Sequence, residues 1–411
     1  MHSISTFMKI QNCAVKRWRD DIWLHHTASG YKVRMNSEAL GVLQTMAARR
    51  NTAEMTEKEK FIYDKLAAKG IASEDSGRVE DRNLFIKEKS SLESIDLEFS
   101  GRCNLRCAHC FAELSQKEMD QETLDKVFAG IDALDPVDLA IDGGEPLLNP
   151  LLREALIKAR ARKLRVGIMT NATLATEEAA DMIKEYGVAR VFVSLDFFEE
   201  THDAIRGAGN FKRAVSGIKI FVDRKVQVLI TAVVQESTYP RIEEFKKFCL
   251  GELGASTIRL SSVMPIGAAK SSPELSLSAA KTKELYNKGL IAAPGDRDGV
   301  IAKLAGGRNF YCKAGVNQCF ISADGQVYAC HYFQNIGESM GSLADRSLET
   351  IYREYQDSQA VPVAMDWNKL EKCKACVYFA KCQGGCRARA KILTRNWHDP
   401  DPFSCGIYGI E

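Results

Sequence analysis

Three cysteines fall within one short stretch of the chain, at Cys103, Cys107 and Cys110, and their spacing is C-x3-C-x2-C. They directly follow an alternating apolar run at 95–99, which predicts a strand. Three thiolates on one loop hold three irons of a [4Fe-4S] cube and leave the fourth iron without a protein ligand. A zinc knuckle or a closed cluster normally has a fourth protein ligand. The spacing therefore predicts an iron that binds a small molecule, with a zinc knuckle or unrelated thiols as the alternative.

The elements that position this loop are short strands and amphipathic helices, which alternate six times between residue 92 and about residue 293. The predicted strands are Leu92–Ser100, Val137–Gly143, Arg165–Thr170, Arg190–Asp196, Gln227–Val234 and Thr257–Val263. The predicted helices are Gln121–Leu134, Leu151–Arg162, Thr176–Glu185, Phe211–Asp223, Arg241–Leu253 and Ser278–Ile291. This alternation predicts an α/β fold with a parallel sheet and right-handed crossovers. Six units are too few for a closed barrel of eight strands, and function is expected at the carboxyl ends of the strands.

Polar motifs stand where the predicted strands end. They are Gly143, Gly144 and Glu145 after the second strand, Asn171 after the third, Ser194 and Asp196 after the fourth, and Arg206 further along the chain. Glycines let the backbone approach a ligand closely, and a carboxylate accepts hydrogen bonds from an ammonium group. The guanidinium fork of arginine suits a carboxylate partner. Alone, the glycine motif is also typical of an ordinary turn before a helix.

Cysteines are dense in the last hundred residues. The eight thiols are Cys312, Cys319, Cys330, Cys373, Cys376, Cys382, Cys386 and Cys405. Eight thiolates satisfy two sites of four ligands, which leaves only Cys13 and Cys249 outside the three predicted sites. A pair of zinc ribbons is the alternative, because it uses the same Cys-x2-Cys spacing.

The first 87 residues have a different pattern. Segments 18–25 and 31–35 flank Thr27-Ala-Ser-Gly30 and predict a β-hairpin, and two capped amphipathic helices follow from Ser37 and Thr56. A hairpin with two helices is a winged-helix-like layout. The polar stretch 73–91 predicts a linker. We expect domains at 1–87, 92–305 and 306–411.

The cysteine loop and the six units resemble the radical S-adenosylmethionine (SAM) superfamily, in which a partial (β/α)6 barrel holds a cluster whose open iron chelates SAM. The resemblance implies reductive cleavage of SAM to a 5′-deoxyadenosyl radical that abstracts hydrogen from substrate. Asp142-Gly-Gly-Glu-Pro146 resembles the motif that contacts the SAM amino group. By the same resemblance Ser194 contacts the ribose or carboxylate, Arg206 pairs with the carboxylate, and His109 replaces an aromatic residue and packs near the adenine. Asn171 and Asp196 are further SAM-binding candidates.

The C-terminal cysteines resemble the SPASM extension of peptide-modifying radical SAM enzymes. The resemblance implies two auxiliary clusters and three [4Fe-4S] clusters in total. Cys312, Cys319, Cys330 and Cys386 would bind auxiliary cluster I, and Cys373, Cys376, Cys382 and Cys405 auxiliary cluster II.

Residues 1–87 resemble the PqqD-like element that binds leader peptides of ribosomally made, post-translationally modified peptides. The whole then resembles a peptide maturase that binds a precursor peptide, abstracts hydrogen and closes a cross-link, most plausibly a thioether. A flavodoxin or ferredoxin-type protein is the expected reductant.

Two other functions are weighed against this one. A formylglycine-forming, sulfatase-type maturase has an aspartate after the cysteine that matches Cys330, whereas this chain has His331, a candidate catalytic proton acceptor. An iron-sensing DNA-binding regulator requires a basic recognition helix, whereas helix 56–70 mixes acidic residues with its lysines.

Composition limits the partners. The chain has 56 Lys and Arg against 54 Asp and Glu, a net charge of +2, which predicts binding to neither nucleic acid nor a membrane surface. The sequence has no membrane-length apolar run and no signal peptide, so a cytoplasmic location is expected. In that reducing compartment we expect the cysteines to bind metal rather than form disulfides.

Overall fold

The computed structural model describes residues 7–10, 13–18, 21–26, 32–48, 55–68, 72–75, 84–87, 92–291, 312, 314–358 and 369–410 of the 411-residue chain. Within these ranges, no helix has both the length and the apolar character needed to cross a bilayer.

The N-terminal region combines short strands with two helices. Its elements are β1 (Phe7–Ile10), β2 (Cys13–Trp18), β3 (Asp21–His26), β4 (Lys32–Met35), α1 (Ser37–Ala48), α2 (Glu57–Ala67), β5 (Ala72–Asp75) and β6 (Leu84–Lys87). The strands β4, β3, β2 and β6 form one sheet in that order, and β1 pairs with β5. A capping box between Thr56 and Glu59 begins α2. Leu24, Leu43 and Leu66 are buried in a core that both helices cover.

The predicted hairpin and both helices of this region are confirmed, but the predicted linker is wrong. Stretch 73–91 contains most of β5 and all of β6. Their hydrogen bonds come from β1 and β2, which lie more than sixty residues earlier in the chain. The amino-acid composition of the stretch does not reveal that it pairs with strands so far away in the chain.

The central region is the predicted strand–helix alternation. Its elements are β7 (Ser94–Ser100), α3 (Gln121–Leu134), β8 (Asp138–Gly143), α4 (Leu152–Ala161), β9 (Arg165–Thr170), α5 (Glu177–Glu185), β10 (Arg190–Ser194), α6 (Glu199–Arg206), α7 (Asn210–Asp223), β11 (Val228–Val234), α8 (Ile242–Lys247), β12 (Thr257–Ser262) and α9 (Ala279–Asn287). All six strands are parallel and lie in sequence order across the sheet, as predicted. Helix α6 was not predicted.

Alternation along β7 determines which side chains face the core. Ile95, Leu97 and Phe99 are fully buried in the main hydrophobic core. In a strand the intervening residues point to the opposite face, so Asp96 and Glu98 face the barrel interior. The core of the molecule therefore lies between the sheet and its helices, and the concave face carries polar groups.

The C-terminal region extends the same sheet. Its elements are β13 (Gln318–Ile321), β14 (Gln326–Tyr328), α10 (His331–Ile336), β15 (Gly341–Ser342), α11 (Leu348–Asp357), α12 (Glu371–Lys374), α13 (Phe379–Cys382), α14 (Arg387–Thr394) and α15 (Pro402–Tyr408). Strand β13 pairs in parallel with β7, with Cys319 opposite Ile95, and β14 and β15 follow it. The sheet therefore has nine strands among the described residues. This extension was not predicted.

Candidate functional site

The cysteine loop lies against the end of β8. Glu145 donates its backbone N–H to the Arg102 carbonyl at 2.9 Å, and Gly144 donates to the Ser100 carbonyl at 2.7 Å. A Cβ at Gly144 would lie 2.0 Å from the Arg102 carbonyl oxygen. At Gly143, where φ is +127°, a Cβ would lie 2.3 Å from the Ser100 carbonyl oxygen. Both glycines are therefore required for the close approach of two backbones.

The carboxylate of Glu145 is fully buried and has protein partners. It accepts hydrogen bonds from Thr170 Oγ1 at 2.7 Å and from the Asn171 N–H at 2.8 Å. Burial raises the pKa of Glu145, and the Asn171 hydrogen bond opposes that effect. Asn171 Nδ2 in turn donates to Asn104 Oδ1 at 3.0 Å and lies 3.8 Å from Cys103 Sγ. In this geometry Glu145 holds the end of β9 against the cysteine loop.

Asp196 connects the other side of the loop to the barrel. Its Oδ2 accepts from His109 Nε2 at 2.8 Å and from Arg206 Nε at 2.7 Å, and its Oδ1 accepts from the Val233 N–H at 2.9 Å. Burial alone would raise the pKa of Asp196, but Arg206 and His109 lower it well below its usual range. Arg206 Nη1 also lies 3.7 Å from Cys107 Sγ. The structure therefore brings His109, Asp196 and Arg206 together at the loop.

The unpredicted helix α6 supplies two further attachments. The Ala108 N–H donates to the Ile205 carbonyl at 3.0 Å, and the Asp196 N–H donates to His202 Nδ1 at 3.1 Å. Burial lowers the pKa of His202 to about 4, so this ring is neutral and accepts that bond. The sequence signal for His202 was its position four residues before Arg206, on the same face of a helix.

Ser194 is the last residue of β10 and is half-buried in register with Thr231. It therefore lies at the same carboxyl edge of the sheet as Gly143, Asn171 and the cysteine loop. The predicted SAM-contacting residues share one edge, and their contacts with SAM stay predictions.

The three thiols of the loop fit a cluster. Cys103, Cys107 and Cys110 are all free and half-buried. Burial raises the pKa of Cys107 to about 11, Arg206 lowers it, and the charges of Cys110 and Cys103 raise it again. Metal binding requires the thiolate form, so cations beside the thiols favour binding. Three half-buried thiols on one loop, with the guanidinium of Arg206 beside Cys107, therefore suit a cluster with one open iron.

A charged group occupies the concave face behind the loop. His331 Nε2 lies 3.2 Å from Asp96 Oδ2 and 3.5 Å from Asp142 Oδ2. Burial alone would lower the pKa of His331, but Asp142 and Asp96 raise it to about 9. Burial raises the pKa of Asp142 to about 7. These two carboxylates therefore favour the protonated form of His331 near neutral pH, and its role as a catalytic proton acceptor stays a prediction.

Asp96 and Glu98 were not predicted as site residues, and Asp142 was predicted only as the first residue of the Asp142-Gly-Gly-Glu-Pro146 motif. The signal for the first two was their alternation with the apolar residues of β7, which places them on the inner face. Glu98 is buried and accepts from the Ala323 N–H at 2.9 Å, which links this face to the C-terminal region.

The first C-terminal cysteine set gathers only three of its four predicted members. Cys312, Cys330 and Cys386 border one small core around Phe333. Burial raises the pKa of Cys330, and the charges of Cys386 and Cys312 raise it further. Cys319 is 0% exposed and belongs to the main hydrophobic core between the sheet and its helices. Burial raises the pKa of its thiol, and the charge of Asp96 raises it further. The prediction of Cys319 as the fourth ligand disagrees with this placement, because β13 turns its thiol into that core.

The thiols of the second set act on one another's pKa values, and their binding of a cluster stays a prediction. Burial raises the pKa of Cys405, and the charges of Cys373 and Cys376 raise it further. Burial also raises the pKa of Cys382, and the charges of Cys405 and Cys373 raise it further. Within the described ranges, no three or more His, Cys, Asp or Glu side chains converge on a single metal ion.

Two family models match the chain. The Radical SAM superfamily model matches residues 97–249, and the iron–sulfur cluster-binding SPASM domain matches residues 312–377. The chain is a radical SAM enzyme with a SPASM domain.

The curated relatives of this radical SAM enzyme include heme synthases and mycofactocin maturases. The AdoMet-dependent heme synthase of Nitratidesulfovibrio vulgaris is 27% identical over 343 residues, which cover 74% of this chain and 90% of the relative. The mycofactocin maturase MftC of Mycolicibacterium smegmatis is 28% identical over 329 residues, which cover 74% of this chain and 80% of the relative.

Solved structures share the fold of the enzyme. Streptococcus suis SuiB bound to its precursor peptide SuiA matches with a TM-score of 0.64 and 14% identity, over 97% of both chains. Native anSMEcpe with bound AdoMet matches with a TM-score of 0.59 and 21% identity, over 77% of this chain and 95% of that one.

Proposed function

We propose that this radical SAM enzyme modifies a ribosomally made precursor peptide, whose leader segment binds to residues 1–87. The observation that supports this proposal most directly is an N-terminal region of strands and helices that precedes a radical SAM and SPASM core in the same chain. SuiB, which has been crystallised with its precursor peptide, has the same fold over 97% of this chain, and that share includes the N-terminal region. The relative MftC is also a maturase.

The N-terminal sheet offers edges for an extended peptide. Strands β4 and β6 stand at the two ends of the four-stranded order. Each edge strand has pairing partners on one side only, within the described residues. An extended leader adds a strand to such an edge through main-chain hydrogen bonds, and side-chain pockets give specificity. This is the PqqD-like mode of recognition that we propose.

We assign the cofactors to three groups of thiols. Cys103, Cys107 and Cys110 hold the SAM-binding cluster. The two auxiliary centres are assigned to Cys312, Cys330 and Cys386 and to Cys373, Cys376, Cys382 and Cys405. When bound, these groups supply a hydrogen-abstracting radical and an electron acceptor.

We propose that residues at the carboxyl edge of the sheet orient the cofactor. In this proposal the backbone at Gly143 and Gly144 meets the SAM ammonium, with Ser194 and Asn171 at the same edge. Arg206, held by Asp196, presents its remaining guanidinium edge to a carboxylate. His331 holds a proton on the inner face, where Asp142 and Asp96 stabilise its charged form.

We propose a cross-link as the product, with a thioether as the leading candidate. Joining a thiol to a carbon atom removes two hydrogen atoms, so the reaction needs an electron acceptor. The auxiliary centres assigned to the C-terminal cysteines are the candidates for this electron acceptor.

A porphyrin-type substrate is the second candidate, because the heme synthase relative is as similar to this chain as the maturase relative. The heme synthase and MftC sequence matches each cover 74% of this chain, so the structural match to SuiB over 97% of this chain is what favours a peptide substrate. A formylglycine product is a third outcome, although its subfamily has an aspartate where this chain has His331.

Co-expression tests the proposal. The full-length enzyme is expressed with a short peptide from a neighbouring reading frame, and the peptide mass is measured. We expect a loss of two mass units per cross-link, and no change with the Cys103→Ala variant. An unmodified peptide beside an enzyme that cleaves SAM, or turnover of an iron porphyrin instead, would overturn the peptide assignment.

A further inference from the structure

Arg387 is a buried cation that the proposed reaction does not use. It begins α14 directly after Cys386, and it is 1% exposed. Its Nη1 donates to the carbonyls of Trp397 at 3.0 Å and Asp399 at 2.8 Å. Its Nε and Nη2 are buried and have no hydrogen-bond partner within the described part of the chain. Leaving donors of a buried guanidinium unpaired is costly, so these two atoms indicate an absent acceptor.

The nearby carboxylates are engaged with other groups. Asp401 accepts from Arg389 through both oxygens, from Ser404 Oγ at 2.6 Å and from the Cys386 N–H at 2.9 Å. Asp399 carries a partly exposed side chain that lies 3.9 Å from Lys372 Nζ. Among the residues that the structure describes, the positive charge of Arg387 is therefore not matched by a dedicated carboxylate.

The charge of Arg387 acts on thiols of both auxiliary sets. Burial raises the pKa of Cys312 and Cys386 in the first set, and Arg387 lowers it in each. Burial likewise raises the pKa of Cys373 and Cys405 in the second set, and Arg387 again lowers it. The geometry agrees with this: Arg387 directly follows Cys386 of the first set, and its Nη2 lies next to Gly384, which is two residues from Cys382 of the second set.

The backbone keeps the space around the guanidinium open. Gly384 has φ of +84°, and a Cβ there would lie 3.2 Å from Arg387 Nη2. A larger residue would be strained and would crowd the unpaired edge of the guanidinium.

We propose that Arg387 is a counter-cation shared by two auxiliary iron–sulfur centres, and that its unpaired Nε and Nη2 donate to the sulfur atoms of those centres. The inference rests on the proposed pair of auxiliary centres. Reduction adds one negative charge to a cluster, so a buried cation and N–H donors stabilise the reduced form and raise the reduction potential. Arg387 therefore positions and tunes both centres and does not touch the peptide.

The test measures iron content and the midpoint potentials of the auxiliary centres in the full chain, by redox titration followed by electron paramagnetic resonance. Arg387→Met removes the charge, and Arg387→Lys keeps it without the fork of donors. The control is Lys372→Met, which removes a charge next to Cys373 from a side chain that is 77% exposed and screened by water.

We expect both potentials to fall in Arg387→Met, to fall less in Arg387→Lys, and to stay near wild type in Lys372→Met. Loss of iron from both centres together in the Arg387 variants also supports a shared role. A shift or an iron loss at one centre only, or no change at either, overturns it. Wild-type iron too low for two auxiliary centres would refute the pair of centres itself.

Discussion

Arg206 donates through Nε to Asp196 Oδ2 at 2.7 Å, in a pair that is almost fully removed from water. The same oxygen accepts from His109, which lies between two cysteines of the loop. The pair thus joins the end of β10, helix α6 and the cysteine loop through a single carboxylate. This connection explains how a loop with little regular structure is held at the carboxyl edge of the sheet.

Replacing the carboxylate should loosen that connection. Asp196→Asn leaves Arg206 as an uncompensated buried cation, so we expect the free energy of unfolding to fall by about 3–5 kcal/mol. The matched control is Asp181→Asn, which breaks an exposed pair with Arg224 and should cost about 0–1 kcal/mol. Urea unfolding followed by circular dichroism measures both. Equal losses in the two variants would contradict the role of Asp196.

The glycine that supports the loop gives a second prediction. Gly144→Ala places a Cβ where the Arg102 carbonyl now lies, so the loop must move. We expect the variant to lose about one [4Fe-4S] cluster of iron and most SAM cleavage, measured by iron assay and 5′-deoxyadenosine formation. The control is Gly251→Ala, where the added Cβ meets nothing within 4 Å. Full iron and full turnover in Gly144→Ala would contradict the close approach.

Asp142 gives the third prediction, on pH dependence. Its folded pKa of about 7 lies above the unfolded value of about 3.9. The folded state therefore binds an extra proton between those values, so the contribution of Asp142 to stability is full below pH ~4 and is lost as pH rises through ~7. Relative to Asp142→Asn, we expect the wild type to lose about 2–4 kcal/mol of unfolding free energy across that window.

Urea midpoints of both proteins at a series of pH values measure this difference. His331→Gln removes the nearby cation, so it should raise the pKa of Asp142 and move the loss to higher pH. An unchanged difference between wild type and Asp142→Asn across the window would show that the carboxyl is ionised throughout.

The sequence predicted those features whose signals are local. The period of β7 to β12 and of their helices is readable in short windows, and the cysteine spacing marks the loop. Contacts between distant segments left no such signal. Asp196 was named as a candidate for binding SAM, but its partners His109 and Val233 lie 87 and 37 residues away. Arg387 was not singled out, because only the folded chain brings it near cysteines of both auxiliary sets.

Cys319 provides the fourth prediction, because counting thiols could not reveal which face of β13 it occupies. We expect Cys319→Ala to keep the full iron content, since the thiol lies in the barrel core. Cys330→Ala should lose about one cluster of iron, since it removes one of three neighbouring thiolates. Iron and sulfide assays after anaerobic reconstitution compare the two. Iron loss in Cys319→Ala equal to that in Cys330→Ala would make Cys319 a ligand.

The central claim is that Cys103, Cys107 and Cys110 hold a cluster that cleaves SAM. The most direct measurement incubates the anaerobically reconstituted protein with dithionite and SAM and quantifies 5′-deoxyadenosine. We expect product from the wild type and none from the variant with all three cysteines changed to alanine. Equal product from both proteins, or none from a wild type fully loaded with iron, would contradict the claim.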